Sequence, residues 1–400
     1  AHTLDHLLIQ LHPHQISPDT PYLRLASCIL RGMDSKRNFP RELPSLEQMC
    51  TDLAITRVLY PGILKGKLEE GGQVHEVISS LPMAVASRVF SVLCKRTSNL
   101  ISYKVIRMFA RRGDLIDITL KSPNGKCPLT KKELLQILSM CDELQFVTLN
   151  QARCVDDDVL EAITTACKRN GLERLEVAFC RHITRRGILK VLDTLYPSNY
   201  DGDTKSTTVK SIESKRKPSE VSRGISLRTI NLSGCSKVVR GKEEDIRRLI
   251  CAIPTTIRCL GFSGAKLSIR LQEKLFNRLT NLRDLDLSNA RVFELSPNVS
   301  QLINLRSLNL QGNSLTSLPG DAFKGLLLLE TLNISGNKLV KLPPEIGLLR
   351  SLKRLNLRAN SLSYIPLGLG RLRKLRRLDV SFNGLLDLPE DLELCPSLEN

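Results

Sequence analysis

Tryptophan is absent from this 400-residue chain, methionine occurs five times and aromatic residues make up 4% of it. A single large core is ordinarily filled with aromatics as well as aliphatics. These shortages point instead to many small cores, each filled with the same medium-sized side chain. No apolar run approaches the ~20 residues that a membrane-crossing helix needs. The chain has no initiator methionine and no signal-peptide pattern, so we expect an excerpt of a longer protein. Equally missing are a phosphate-cradling glycine loop, a Ser-His-Asp order and a Cys-x-x-Cys pair. Four of the six histidines, His2, His6, His12 and His14, fall in the first fourteen residues without a ligand cluster, and a mobile terminus is expected there rather than a metal site. Neither catalysis nor a cofactor is expected.

Charge of one sign is in excess. Fifty-nine basic residues face 41 acidic ones, for a net charge of +18. This favours acidic partners over basic ones, although a solvated basic surface has the same composition. The twelve cysteines show no paired clusters. Cys141 to Cys167 and Cys154 to Cys180 are each 26 residues apart, which predicts small buried side chains at repeated positions in a reducing compartment, cytoplasmic or nuclear.

From Leu282 onward one pattern repeats: Leu-x-x-Leu-x-Leu-x-x-Asn-x-Leu. It reads Leu305-Leu308-Leu310-Asn313-Leu315, then Leu329-Leu332-Ile334-Asn337-Leu339. Two more rungs follow from Leu352 and Leu375, with Asn360 and Asn383. The starts at 282, 305, 329, 352 and 375 lie 23 or 24 residues apart. Each Leu-x-Leu predicts a short strand with its leucines turned inward, and each Asn can bond the backbone of a neighbouring rung. Leu318-Pro319, Leu342-Pro343, Ile365-Pro366 and Leu388-Pro389 predict extended or short helical returns. Ala290 stands where the first rung should carry Asn, so a ladder contact is expected to be lost there.

Upstream the strand signature persists at Leu115-Ile118-Leu120, Leu144-Val147-Leu149, Leu172-Leu175-Val177, Leu227-Ile230-Leu232 and Ile257-Leu260-Phe262. Asp156 to Asp158 precede Leu160, Ile163 and Cys167 at helical spacing, so a helix should start there, with Thr184 serving the next one. The chain resembles the leucine-rich repeats, and the upstream part resembles the cysteine-containing repeats of ubiquitin-ligase receptors. The resemblance implies an α/β solenoid, with a parallel sheet on its concave face, helical or extended returns on its convex face, and a small helical segment ahead of it. We divide the chain into an extension over 1–40, a helical adaptor or capping segment over 41–110 and cysteine-type repeats over 111–194. A disordered basic insert over 195–225, irregular repeats over 226–281 and regular repeats over 282–400 follow. Lys215-Arg216-Lys217-Pro218 in the insert reads as a solvated charge run or a nuclear-import signal.

Residues 41–96 carry a helical pattern. Ser45 and Gln48 form a capping box, and Leu46, Cys50 and Ala54 share one helix face. Thirty-one residues after Cys50, Leu81-Pro82-Met83-Ala84-Val85 opens another helix. Ser-Leu-x-x-x-Cys-x-x-x-Ala resembles the box by which SOCS- and VHL-type receptors grip elongin B/C, and the Leu-Pro helix resembles a cullin-2 box. Zyg-type and PRAME-like receptors share this layout. The resemblance implies adaptor binding through Ser45, Leu46, Cys50, Ala54, Leu81, Pro82 and Val85, and a role as substrate receptor of a cullin-2 ligase. Three alternatives stay open: a cap over the first rung, an F-box using a Skp adaptor, or a signalling scaffold without a ubiquitin link.

On the concave face we expect a basic patch of Lys353, Arg354 and Arg358 on one rung, Arg376 and Arg377 on the next, and Arg306 in line two rungs earlier. Such a patch can clamp carboxylates or phosphates of a partner protein. Glu330 and Asp379 should temper it. The scarcity of aromatics disfavours nucleic acid.

Overall fold

A computed structural model describes residues 89–90, 103–110, 115–120, 129–167, 169–197 and 226–398. Two compact units divide at Asp117. In the first, helix α1 (Tyr103–Ala110) buries Val105, Ile106, Phe109 and Ala110, and the Phe109 ring lies 5.1 Å from that of Phe90. The adaptor residues Ser45, Leu46, Cys50, Ala54, Leu81, Pro82 and Val85 lie outside the described residues, as does the Lys215–Pro218 run.

The repeats build one ten-stranded sheet in unbroken sequence order. Its strands are β1 (Asp117–Thr119), β2 (Phe146–Thr148), β3 (Arg174–Glu176), β4 (Thr229–Asn231) and β5 (Cys259–Gly261). They continue as β6 (Asp284–Asp286), β7 (Ser307–Asn309), β8 (Thr331–Asn333), β9 (Arg354–Asn356) and β10 (Arg377–Asp379). Pairing is parallel from β2 to β10. The middle residue of each strand points into the core. Val147, Leu175, Ile230, Leu260, Leu285, Leu308, Leu332 and Leu355 stand in register, none more than 2% exposed. Burying each such side chain contributes about 1.5–3 kcal/mol, so a three-residue strand is held by its place in the stack rather than by its own length.

Returns differ along the array. Helices α2 (Lys131–Leu138), α3 (Asp157–Ala166) and α4 (Arg185–Leu195) are capped by the side chains of Thr130, Asp156 and Thr184. The short α5 (Ser236–Val239), then α6 (Glu243–Ala252) and α7 (Ile269–Arg278) follow. Beyond β6 the returns shrink to single 3-10 turns, four of them entered from a proline: Gly320–Phe323, Pro344–Leu348, Leu367–Arg371 and Glu390–Leu394. The ring of proline fixes φ and supplies no N–H, which suits the extended residue that leads into such a turn.

Every rung from β2 to β10 leaves its strand through a left-handed residue. Glycine takes this position at Gly234, Gly264, Gly312 and Gly336, while Gln151, Phe179, Asn289, Ala359 and Phe382 adopt it with positive φ despite their side chains. The next residue stitches the rungs together. Asn337 donates from Nδ2 to the Leu310 carbonyl of the rung before (3.0 Å) and to Ile334 of its own (2.9 Å), while its Oδ1 accepts from Leu315 N–H (3.1 Å). Asn313, Asn360 and Asn383 repeat the arrangement.

Upstream, cysteine takes this place. Cys180 Sγ donates to the Leu149 carbonyl (3.1 Å) and Cys235 Sγ to that of Val177 (3.0 Å), the same backbone acceptor that asparagine uses. One expectation needs correction. Cys154 is not the equivalent of Cys180: the strand register there advances by 28, not 26, so buried Ala152 aligns with Cys180 and Cys154 is only half-buried. Cys141 and Cys167, in contrast, are both buried at the ends of successive helical returns. At Ala290 the side-chain donations are lost as expected, and only the acceptor is replaced, since its own carbonyl accepts from Leu267 N–H (3.3 Å). Burial pushes the Cys141 thiol up to about 12 and that of Cys235 up to about 11, and it raises Cys167 as well.

Between β3 and β4 the chain runs on without disturbing the ladder. Glu173 and Arg228 are 55 positions apart, yet Arg228 N–H donates to the Glu173 carbonyl (2.9 Å). Arg185, 16% exposed, ties α4 to the far side through the carbonyls of Val238 and Arg240 and the carboxylate of Asp245 (3.1 Å).

Candidate functional site

The strand register sorts the concave surface into columns. The residues just before each strand form a rim, the first and last residues of each strand form two inner columns, and the residues two positions past each strand form the opposite edge. Leucine side chains occupy the alternate, inward positions, so the columns are polar by construction.

Arg354 and Arg377 are directly paired across β9 and β10 in the first inner column, both exposed. Behind them on the rim stand Lys353 and Arg376, joined by the Arg376 N–H to Lys353 carbonyl bond (2.9 Å). Asn333, Asn356 and Asp379 continue beside them and line a shared hollow with Thr331, Arg354 and Arg377. Four cations on two rungs can meet a phosphate or carboxylate from one side.

The remaining members of the expected patch stand elsewhere. Arg306 shares the rim but is separated by the Glu330 rung. Glu330 binds Arg306 (3.3 Å) and Lys353 (2.6 Å) together, and the Lys353 bond, with the two positive charges, holds its carboxyl below the usual range. Arg358 lies at the opposite edge, where it donates to Ser381 Oγ (3.1 Å) and stacks 4.1 Å above the ring of Phe382. Phe382 is 70% exposed and left-handed, so its ring covers the guanidinium rather than joining the core. Asp379 is kept charged chiefly by hydrogen bonds from Ser381, and the field of Arg358 adds to this. The expected patch, tempered by Glu330 and Asp379, resolves in register into a four-cation cluster, an ion triad that shares Lys353 with it, and a stacked arginine.

Three residues escaped the sequence reading. Arg228, Arg258 and Arg283 occupy the same rim position as Arg306, on the four successive rungs of β4 to β7. The signal was available as the residue preceding each strand, but unequal returns hide it unless the strands are first put in register. Farther in, a second hollow carries Glu176, Asn231, Asp284 and Asp286, so the middle of the inner columns is acidic where the C-terminal end is basic. Cys259, in the same hollow, donates to Asp284 Oδ2 (3.2 Å), and burial with that carboxylate pushes its thiol up to about 11.

Among the described residues no group of His, Cys, Asp or Glu is placed to hold a metal, and no helix is long and apolar enough to cross a membrane. Parallel rungs, an inward leucine register and a polar concave face define a leucine-rich-repeat solenoid of the protein-binding kind. A leucine rich repeat family model matches residues 303–347 and 329–385. No curated protein matches the chain in sequence. Among solved structures, a Leptospira interrogans leucine-rich-repeat protein is similar at 18% identity over 77% of this chain and 91% of its own, with a TM-score of 0.35. A plant peptide hormone receptor, solved with its peptide, is similar at 17% identity over 74% of this chain and 40% of its own (TM-score 0.44). The ectodomain of an Arabidopsis thaliana receptor kinase shows 19% identity over 73% and 33% (TM-score 0.44). The chain thus spans well under half the length of those two receptors.

Proposed function

We propose that this protein is a substrate-recognition subunit of a cullin-RING ubiquitin ligase in the cytoplasm or nucleus, and that its basic C-terminal rungs hold an acidic or phosphorylated segment of the partner. The paired Arg354 and Arg377, backed by Lys353 and Arg376, carry the binding half of this reading. Guanidinium forks match carboxylate and phosphate oxygens two at a time, and an open sheet leaves room for an extended segment. The ligase half rests on the Ser45-Leu46-Cys50-Ala54 spacing and the Leu81-Pro82-Val85 sequence, which resemble elongin and cullin-2 boxes. Affinity purification of the intact chain tests it. Elongin B/C should be recovered, and lost with Leu46→Ala plus Cys50→Phe, while Arg354→Glu plus Arg377→Glu should spare elongin and lose the partner.

A second reading is favoured by the regular Asn-stitched rungs with Leu-Pro returns, which are not the pattern expected of Zyg-type receptors. It makes the protein a signalling scaffold without a ubiquitin link. Recovery of small GTPases or phosphatases with no ligase adaptor would establish it, and recovery of a Skp adaptor would point to an F-box receptor.

A further inference from the structure

We propose a second docking row, separate from the C-terminal cluster: the rim formed by Arg228, Arg258, Arg283 and Arg306, which takes an extended acidic polypeptide segment running across the strands. The four residues are consecutive links of one backbone chain. Arg258 N–H donates to the Arg228 carbonyl (2.7 Å), Arg283 to Arg258 (2.6 Å) and Arg306 to Arg283 (2.7 Å). Adjacent strands lie ~4.8 Å apart, so the row is about 14 Å long and all four side chains are exposed.

Its ends are closed and its centre is open. Arg228 pairs with Glu173 (3.2 Å) and Arg306 with Glu330 (3.3 Å), whereas Arg258 and Arg283 have no ion pair among the described residues. Like charges directly opposite one another across strands are destabilising. A fold that stacks four guanidinium groups bears that repulsion until an anion relieves it. An extended peptide advances ~3.3 Å per residue, so four or five acidic residues match the row.

The neighbouring column selects a peptide over nucleic acid. Asp284 borders the row on the concave side and Asp286 stands in the second column behind it, so the positive field is one residue wide, and a broad polyanion laid over it would meet carboxylates. Between Arg228 and Ser307 the rim and first column offer Thr229, Cys259 and Asp284 beside the arginines, with no aromatic ring on which a base could stack.

The test uses the intact protein and a fluorescein-labelled twelve-residue polyglutamate, read by anisotropy at low salt. Three charge-reversal pairs are compared: Arg258→Glu with Arg283→Glu on the rim, Arg354→Glu with Arg377→Glu in the C-terminal cluster, and Arg350→Glu with Arg373→Glu on the returns. The rim pair should weaken binding at least tenfold and the return pair less than threefold. Whether the cluster pair also weakens it bears on the proposed partner site alone. Arg283→Gln should raise the Tm of the free protein while weakening the peptide, an opposition that a merely structural arginine would not produce. Equal losses from rim and return pairs, or an unchanged Kd in a rim variant with native circular dichroism, would overturn the proposal. So would tighter binding of a twelve-residue oligothymidylate that the rim pair abolishes.

Discussion

Cys235 and Asn337 hold the same position on two rungs and reach for the same backbone carbonyl, yet they join their neighbours differently. The thiol gives one weak donation. The amide gives two good ones and also accepts, so it satisfies groups in both its own rung and the one before. The cysteine half adds helices to its returns, side-chain-capped at α3 and α4 though not at α5 and α6, whereas the asparagine half has only a 3-10 turn. Where the return supplies packing, a minimal stitch suffices; where it shrinks, the stitch must do more. The two halves are alternative ways of distributing the same cohesion between the convex side and the turn.

Removing the stitches should break this symmetry first. Asn337→Ala strands the Leu315 N–H in the interior and leaves the Leu310 and Ile334 carbonyls with only the Asn313 and Asn360 donors, and we expect a loss of about 3 kcal/mol, against about 1 kcal/mol for Cys235→Ala. Urea unfolding of both variants measures the difference, and equal losses would show that the amide has no special role.

Alkali should strike the other half. An unfolded thiol ionises near pH 8.5, but Cys141 and Cys235 in the fold do so only at about 12 and about 11. Between those values the unfolded chain has released protons that the native chain keeps, so stability is full below about pH 8.5 and falls as pH rises. The slope approaches ~1.4 kcal/mol per pH unit for each thiol. Hydrogen exchange near pH 10 should therefore show the cysteine rungs opening before the asparagine rungs, and a Cys235→Ala variant should have a shallower alkaline slope.

The thin returns of the asparagine half touch backbone to backbone. A Cβ added at Gly347 would sit 2.4 Å from the Gly368 carbonyl oxygen of the next rung. Gly347→Ala should cost about 2 kcal/mol, read from the thermal midpoint. The smallest effect has the opposite sign. Ala359 is left-handed where Gly312 and Gly336 serve other rungs, so Ala359→Gly should gain about 1 kcal/mol. Phe382→Gly should gain less, because the ring covering Arg358 is lost.

All ten strands were legible in the sequence, from the weak Leu115-Ile118-Leu120 to the regular rungs, because an inward leucine every second residue has few other uses. The caps at Asp156 and Thr184 were legible for the same local reason. What depends on register was not. Cys154 was misplaced because helical returns advance by one step and strands by another, and the rim arginines stayed hidden because their spacing in sequence is irregular while their spacing in space is constant. The left-handed turn residue was equally opaque at Phe179 and Phe382, where the side chain gives no warning of the backbone.

The long excursion between β3 and β4 has one further consequence. Its two ends are fastened: the Tyr196 hydroxyl holds both backbone groups of Leu172, and Arg228 and Thr229 re-enter on the Glu173 carbonyl. Because closing a longer loop costs only about 0.6 kcal/mol per doubling, the stack is nearly indifferent to what is spliced into that gap. The solenoid thus has a socket in its middle, where new sequence can be acquired, exchanged or engineered without re-registering a single rung.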